Sequence, residues 1–278
     1  MARVAVVTGA NKGIGYHIVK LLLRSRPHDV VYLTSRDEGR GRDAVAALKE
    51  EGIDASFHTL DLDSADSVVR FAAYIKDKHG GLDVLVNNAG IAYKRDSTAP
   101  FDEQARVTNA TNFFGTLRVC DALVPLIRDG GRVVHVSSQV GHMSFAKLAP
   151  ALQQQFDSVD LTKDGLVALI SAFVADAQEN NHEAKGWPSS AYGVSKIGVT
   201  ALCAVQQRQY DAAHPGNDVI FSACCPGFCD TDMTSHKGPR PAEVGADVAF
   251  YLATLPPKSP VTRGTFWYDR KELPWKRG

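Results

Sequence analysis

The sequence predicts an α/β fold built on a doubly wound parallel sheet of about seven strands. Short apolar, β-branched runs alternate with helix-length amphipathic stretches through the first half of the 278 residues. Such alternation implies parallel strands joined by helical crossovers. The runs are also near-continuously apolar, as strands covered on both faces are. Alternation pauses over residues 141–187 and then resumes, so one domain spanning 1–278 with a helical insertion at about 141–187 fits better than two domains.

In order along the chain, residues 4–8 form a first strand, followed by Gly9. Ile14, Ile18, Leu21 and Leu22 follow near helical spacing. Residues 30–34 are the next strand, and 38–51 a helix stopped by Gly52. Residues 55–60 read as extended. Residues 64–78 read as a helix with Val68, Phe71, Ala72 and Ile75 on one face. Buried-strand runs occupy 82–87 and 131–137. Within the pause, 148–156, 161–174 and 175–182 are helical or polar. A long helix over 191–210, a strand over 219–224, a helix over 241–255 and a last strand over 265–268 complete the pattern.

Composition narrows the function classes. Lys plus Arg and Asp plus Glu both count 31, and this zero balance argues against a general nucleic-acid binder. No run of eighteen apolar residues suggests a membrane span. Neither the first nine residues nor the last six carry a targeting signal. Five cysteines are too few and odd for a disulfide framework, which predicts a soluble protein of a reducing, cytoplasmic compartment. The nine histidines lack ligand spacing, so no metal is predicted. Asp61, Asp63 and Asp66 resemble a calcium loop only superficially.

Thr8-Gly-Ala-Asn-Lys-Gly-Ile-Gly15 stands between the first strand and the first helix. Gly9, Gly13 and Gly15 let backbone approach a pyrophosphate. Asn11, Lys12 and Ile14 lead into a helix N-terminus that offers free N–H groups. The spacing G-x-x-x-G-x-G departs from the common G-x-G-x-x-G, and a plain glycine turn is the alternative. The strand–turn–helix context favours a Rossmann-type dinucleotide site. Arg36 and Arg40, four apart after the second strand, suit the 2′-phosphate of NADPH. Asp37 is the rival acidic candidate, or a first-turn residue placed by the helix dipole.

Tyr192-Gly-Val-Ser-Lys196 sets a phenol and an ammonium one helical turn apart. A nearby cation favours the phenolate, which would tune the tyrosine for proton transfer to a carbonyl oxygen. On spacing alone, a surface tyrosine beside a solvated lysine is the commoner reading.

Five motifs taken together are far more specific. The glycine turn, Asn87-Asn-Ala-Gly90, Val136-Ser-Ser138, Tyr192–Lys196 and Pro226-Gly227 occur in an order similar to that of the short-chain dehydrogenases/reductases, across essentially the whole chain. Thr111-Asn-Phe-Phe-Gly-Thr116, Gly186-Trp-Pro-Ser-Ser-Ala-Tyr192 and Cys224-Cys-Pro-Gly227 resemble the monomeric NADPH-dependent carbonyl reductases of animals.

The resemblance implies reduction of ketones, aldehydes or quinones, with Tyr192 as general acid. Lys196 would hold the nicotinamide ribose and lower the tyrosine pKa. Ser138, with Ser137 as the alternative, would bind the substrate carbonyl, and Asn112 would anchor a relay water. Asn88, Ala89 and Gly90 would pass behind the adenine ribose. Asp61 and Leu62 would touch the adenine, and Asn11, Arg36 and Arg40 the 2′-phosphate. Pro226, Gly227, Phe228, Cys229 and Thr231 would lie against the nicotinamide.

Val140, Phe228, Met233, Tyr93 and Trp187 are substrate-facing candidates, or else ordinary core. Cys225 aligns with a cysteine that some relatives place near a glutathione surface, with a small buried hydrophobe as the plainer reading. The long stretch before Tyr192 would cover the surface that other members use to dimerise, which predicts a monomer. The alternatives are a dehydrogenase for a steroid, prostaglandin or other lipid alcohol, or a non-catalytic NADPH-binding regulator.

Overall fold

A computed structural model describes residues 2–94 and 96–274. Met1 and residues 275–278, part of the two terminal segments read for targeting signals, lie outside the described residues. The elements are β1 (Val4–Val7), α1 (Gly13–Ser25), β2 (Val30–Ser35), α2 (Glu38–Glu50), β3 (Ser56–Thr59), α3 (Ala65–His79) and β4 (Leu82–Asn87). Next come α4 (Phe101–Asn109), a π-helical turn (Ala110–Gly115), α5 (Thr116–Leu123) and β5 (Ile127–Val136). Then follow α6 (Gln139–Phe145), α7 (Pro150–Asp157), α8 (Lys163–Gln178) and α9 (Ala191–Ala213). The chain ends with β6 (Ile220–Cys225), α10 (Ala242–Ala253), β7 (Thr265–Tyr268) and β8 (Lys271–Leu273).

The strands form one sheet in the order β3-β2-β1-β4-β5-β6-β7-β8. Every neighbouring pair is parallel except β7–β8. The doubly wound sheet is as the sequence predicts, with β8 as an extra strand. Its hairpin turns on Asp269 and Arg270, both left-handed at φ 47° and 58°.

Side chains on successive strand residues point to opposite faces. Ala5, Val7, Val31, Leu33, Val84 and Val86 therefore pack with Ile18, Leu22, Leu48 and Val248 from α1, α2 and α10. Val4, Val6, Tyr32, Leu85 and Phe221 pack with Phe71, Val119 and Cys203 from α3, α5 and α9 on the other face. A third cluster joins Phe145, Phe156, Ile170 and Phe173 of the insertion to Val194, Ile197 and Leu202 of α9. Helix α9 is thus held between the sheet and the insertion, which fixes the helix that carries Tyr192 and Lys196.

The strand order reverses direction at β1 and β4, and ligands of such sheets bind beyond the carboxyl ends of the strands at that point. Four of the five motifs follow the carboxyl ends of β1, β4, β5 and β6, which are consecutive neighbours in the sheet.

Candidate active site

The glycine turn is built for close approach. Gly9 and Gly13 have φ of +60° and +57°, and a Cβ at Gly9 would lie 2.8 Å from Ala89. Asn88 buttresses the turn from behind, its Nδ2 donating to the carbonyls of Thr8 (2.9 Å) and Gly9 (3.0 Å). The backbone N–H groups of Asn88 and Ala89 both donate to Thr8 Oγ1 at 3.0 Å. Lys12 is the N-cap of α1 and its side chain makes no cap bond, while the first turn carries no acid. The helix N-terminus therefore keeps N–H groups and partial positive charge for an anion, and this suits a dinucleotide pyrophosphate.

Two cavities are lined by cofactor-binding candidates. One, of about 680 Å³, is lined by Asn11, Lys12, Gly13 and Arg40 among others, and by Asp232. The other, of about 710 Å³, is lined by Arg36, Ile91, Tyr93 and Lys94 with the segment 96–98. Arg36 and Arg40 do not share a helix face as their spacing suggests. Asp37 is the N-cap of α2, its carboxylate accepting from Arg40 N at 2.8 Å, so Arg36 precedes the helix. The two guanidiniums approach from different cavities. Asp61 and Leu62 line neither. Asp61 Oδ1 accepts from Asp63 N at 3.1 Å, and buried Leu62 gives its carbonyl to Arg118.

Beyond β5, Ser138 caps α6, its Oγ accepting from Val140 N at 3.1 Å, and its hydroxyl hydrogen-bonds the Tyr192 phenol. Ser137 is committed elsewhere: its Oγ donates to the Lys196 carbonyl (3.1 Å) and pairs with Thr200 Oγ1 (2.7 Å). Of the two serines, Ser138 is the one that meets the Tyr192 phenol. Lys196 Nζ donates to the Val136 carbonyl at 2.8 Å and stands 5.5 Å from the Tyr192 ring centroid. Asn112 sits in the π-helical turn, its Nδ2 donating to Ser195 Oγ (3.0 Å) and the Ile91 carbonyl (2.9 Å), its Oδ1 accepting from Ile91 N (2.8 Å). This amide ties α9 to the segment after β4. Gly90 is packed between these groups, since a Cβ there would lie 3.2 Å from Asn112 Oδ1 and 3.7 Å from Lys196 Nζ.

A family model for short chain dehydrogenase matches residues 3–150, more than half of the chain. The chain belongs to the short-chain dehydrogenase family. Carbonyl reductase [NADPH] 1 of Rattus norvegicus is 47% identical over 272 residues, covering 98% of each protein. Carbonyl reductase [NADPH] 3 of the same organism is 46% identical over 274 residues, covering 99% of each. Among solved structures, salutaridine reductase from Papaver somniferum matches with a TM-score of 0.84 at 30% identity, covering 96% of this chain and 99% of that one.

In this short-chain dehydrogenase, burial works against the electrostatic tuning the spacing suggests. Burial pushes the Tyr192 phenol up to about 12, opposed by the Ser138 hydrogen bond. Lys196 does not offset the rise, because burial pulls its own ammonium down to about 8. With a folded pKa depressed below the usual value, Lys196 is charged below about 8 and neutral above. kcat/KM for NADPH, which reports groups of the free protein, is expected to hold steady at neutral pH and to fall above about 8. A profile flat through mildly alkaline pH would contradict this.

One substrate-facing expectation is corrected. Trp187 is buried in the insertion cluster, with Nε1 donating to Asp176 at 2.9 Å. Tyr93 lines the cavity of Arg36, its hydroxyl donating to Glu103 at 2.8 Å. Val140, Phe228 and Met233 are exposed rather than core, and so is Met143. Val140 and Met143 follow Ser138, which meets the phenol, and Phe228 and Met233 follow Gly227. Cys225 is buried, its sulfur accepting from Gly227 N at 3.3 Å, and Cys229 is likewise buried with its thiol on the Pro226 carbonyl (3.2 Å). Thr231 folds back onto the glycine turn, its Cγ2 lying 3.4 Å from where a Gly13 Cβ would stand. Lys94 and Asp232, neither singled out by the sequence, stand at the same site. Among the described residues no group of three His, Cys, Asp or Glu could hold a metal, and no helix is long and apolar enough to cross a membrane.

Proposed function

We propose that the chain reduces ketones, aldehydes or quinones to alcohols or hydroquinones with NADPH. The observation that carries this is the Ser138–Tyr192 hydrogen bond, with Lys196 against the phenol ring, on the strand ends that adjoin an anion-ready glycine turn. When bound, NADPH supplies the hydride. Hydride arrival builds negative charge on the substrate oxygen, and the Ser138 and Tyr192 hydroxyls are donors placed to stabilise it. Tyr192 then gives up its proton to that oxygen. Lys196 would hold the nicotinamide ribose. Asn112 holds α9 in register with the segment after β4. Arg36, Arg40 and Asn11 would take the 2′-phosphate, and the segment 226–231 would lie against the nicotinamide.

Val140, Met143, Phe228 and Met233, exposed apolar side chains on the segments after Ser138 and Gly227, would suit a bulky apolar carbonyl. They also support a second reading within the same chemistry, a steroid, prostaglandin or other lipid alcohol as substrate. Further readings rest on the sequence: a monomer, because the insertion covers α9, a cytoplasmic protein, and a glutathione surface near Cys225. NADPH oxidation on adding a simple quinone or aromatic ketone tests the proposal. Cofactor binding without turnover on a panel of carbonyls would favour a non-catalytic regulator instead.

A further inference from the structure

We infer that Asp232 is a clasp over the dinucleotide groove, holding Lys12 and Lys94 together from opposite rims and so slowing cofactor release. The inference rests on NADPH occupying that groove. Lys12 caps α1 and lines the Arg40 cavity, whereas Lys94 lines the Arg36 cavity. Both converge on Asp232. Lys12 Nζ meets Asp232 Oδ2 at 2.5 Å, and Lys94 Nζ donates to the Asp232 carbonyl. A dinucleotide with its pyrophosphate at α1 and its 2′-phosphate between Arg36 and Arg40 would run beneath this crossing.

The segment carrying Asp232 is braced for the task. Ser235 and His236 are consecutive left-handed residues, φ 53° and 56°, neither of them glycine. Such conformations persist only where surroundings enforce them. Here His236 Nε2 pairs with Asp232 Oδ1 (3.0 Å) and Nδ1 with Asp230 Oδ1 (2.6 Å), while His236 N donates to the Thr231 carbonyl (3.0 Å). Thr234 Oγ1 donates to the Cys229 carbonyl at 2.6 Å and closes a capping box with Thr231. One carboxylate oxygen of Asp232 is thereby fixed on His236 and the other is aimed at Lys12. A lone exposed ion pair contributes little, but this carboxylate sits in a network of several partners.

The test is the dissociation rate and Kd of NADPH for wild type and Asp232→Asn, read by protein fluorescence in stopped flow and at equilibrium. The expected result is release and Kd both raised about fivefold, and by a similar factor for NADP+. Backbone amides of 228–237 are expected to exchange faster in the cofactor-free variant than in cofactor-free wild type. Lys94→Ala, which leaves the carboxylate in place, is expected to shift release in the same direction by a smaller factor. If Asp232→Asn binds NADPH as tightly as wild type or tighter, the carboxylate is a bystander or a competitor for Lys12, and the clasp is overturned. If wild type itself does not bind NADPH, the functional reading fails first, so the two failures are distinguishable.

Discussion

Tyr192→Phe is expected to lower kcat for carbonyl reduction by about 10²–10⁴-fold, the usual contribution of a positioned general acid. The substitution removes one oxygen and keeps the ring. Lys196 contacts the ring face and the Val136 carbonyl rather than the phenolic oxygen, so its placement should survive. The Ser138 hydroxyl loses its phenol partner but retains the Val140 N–H. Affinity for NADPH should therefore change little, because the glycine turn and both arginines are untouched. Stopped-flow hydride transfer separates the two effects, with the loss confined to the chemical step. A near-normal rate in the variant would remove Tyr192 from the acid role.

The double substitution Arg36→Ala, Arg40→Ala should have the next largest effect. Hydrogen bonds to a charged partner contribute roughly 1.5–3 kcal/mol each, so losing two should weaken NADPH by about two to four orders of magnitude. NADH lacks the 2′-phosphate and should bind nearly as before. The single variants should each show part of the loss, since the guanidiniums reach the site from separate cavities. Calorimetric affinities for both cofactors decide the matter. An equal loss for NADPH and NADH would place the arginines on some shared part of the nucleotide.

The sheet was legible because both its faces are covered, so β1, β2 and β4 read as apolar runs. Strand β8 was not. It is three residues long, two of them charged and exposed, and its turn uses Asp269-Arg270 where Asn-Gly is the recognisable signal. The π-helical turn at Ala110–Gly115 leaves no mark in apolar spacing. Arg36 and Arg40 were paired by counting four residues, but Asp37 starts α2 and takes Arg36 off the helix. Motif order placed Ser138, Tyr192 and Lys196 together, since each follows or faces the end of β5. It could not give the directions in which burial shifts Tyr192 and Lys196, up and down respectively, since spacing does not encode burial. Lys94 and Asp232 lie 138 residues apart and carry no sequence signal of their own.

The central claim is hydride delivery to a carbonyl carbon with the proton entering at oxygen. NADPH deuterated at its transferable position, incubated with the protein and an aromatic ketone, tests it most directly. The account predicts one deuterium on the carbinol carbon for each NADPH consumed, with the hydroxyl proton drawn from solvent. NADPH oxidation that leaves the alcohol unlabelled, or no alcohol at all, would contradict it.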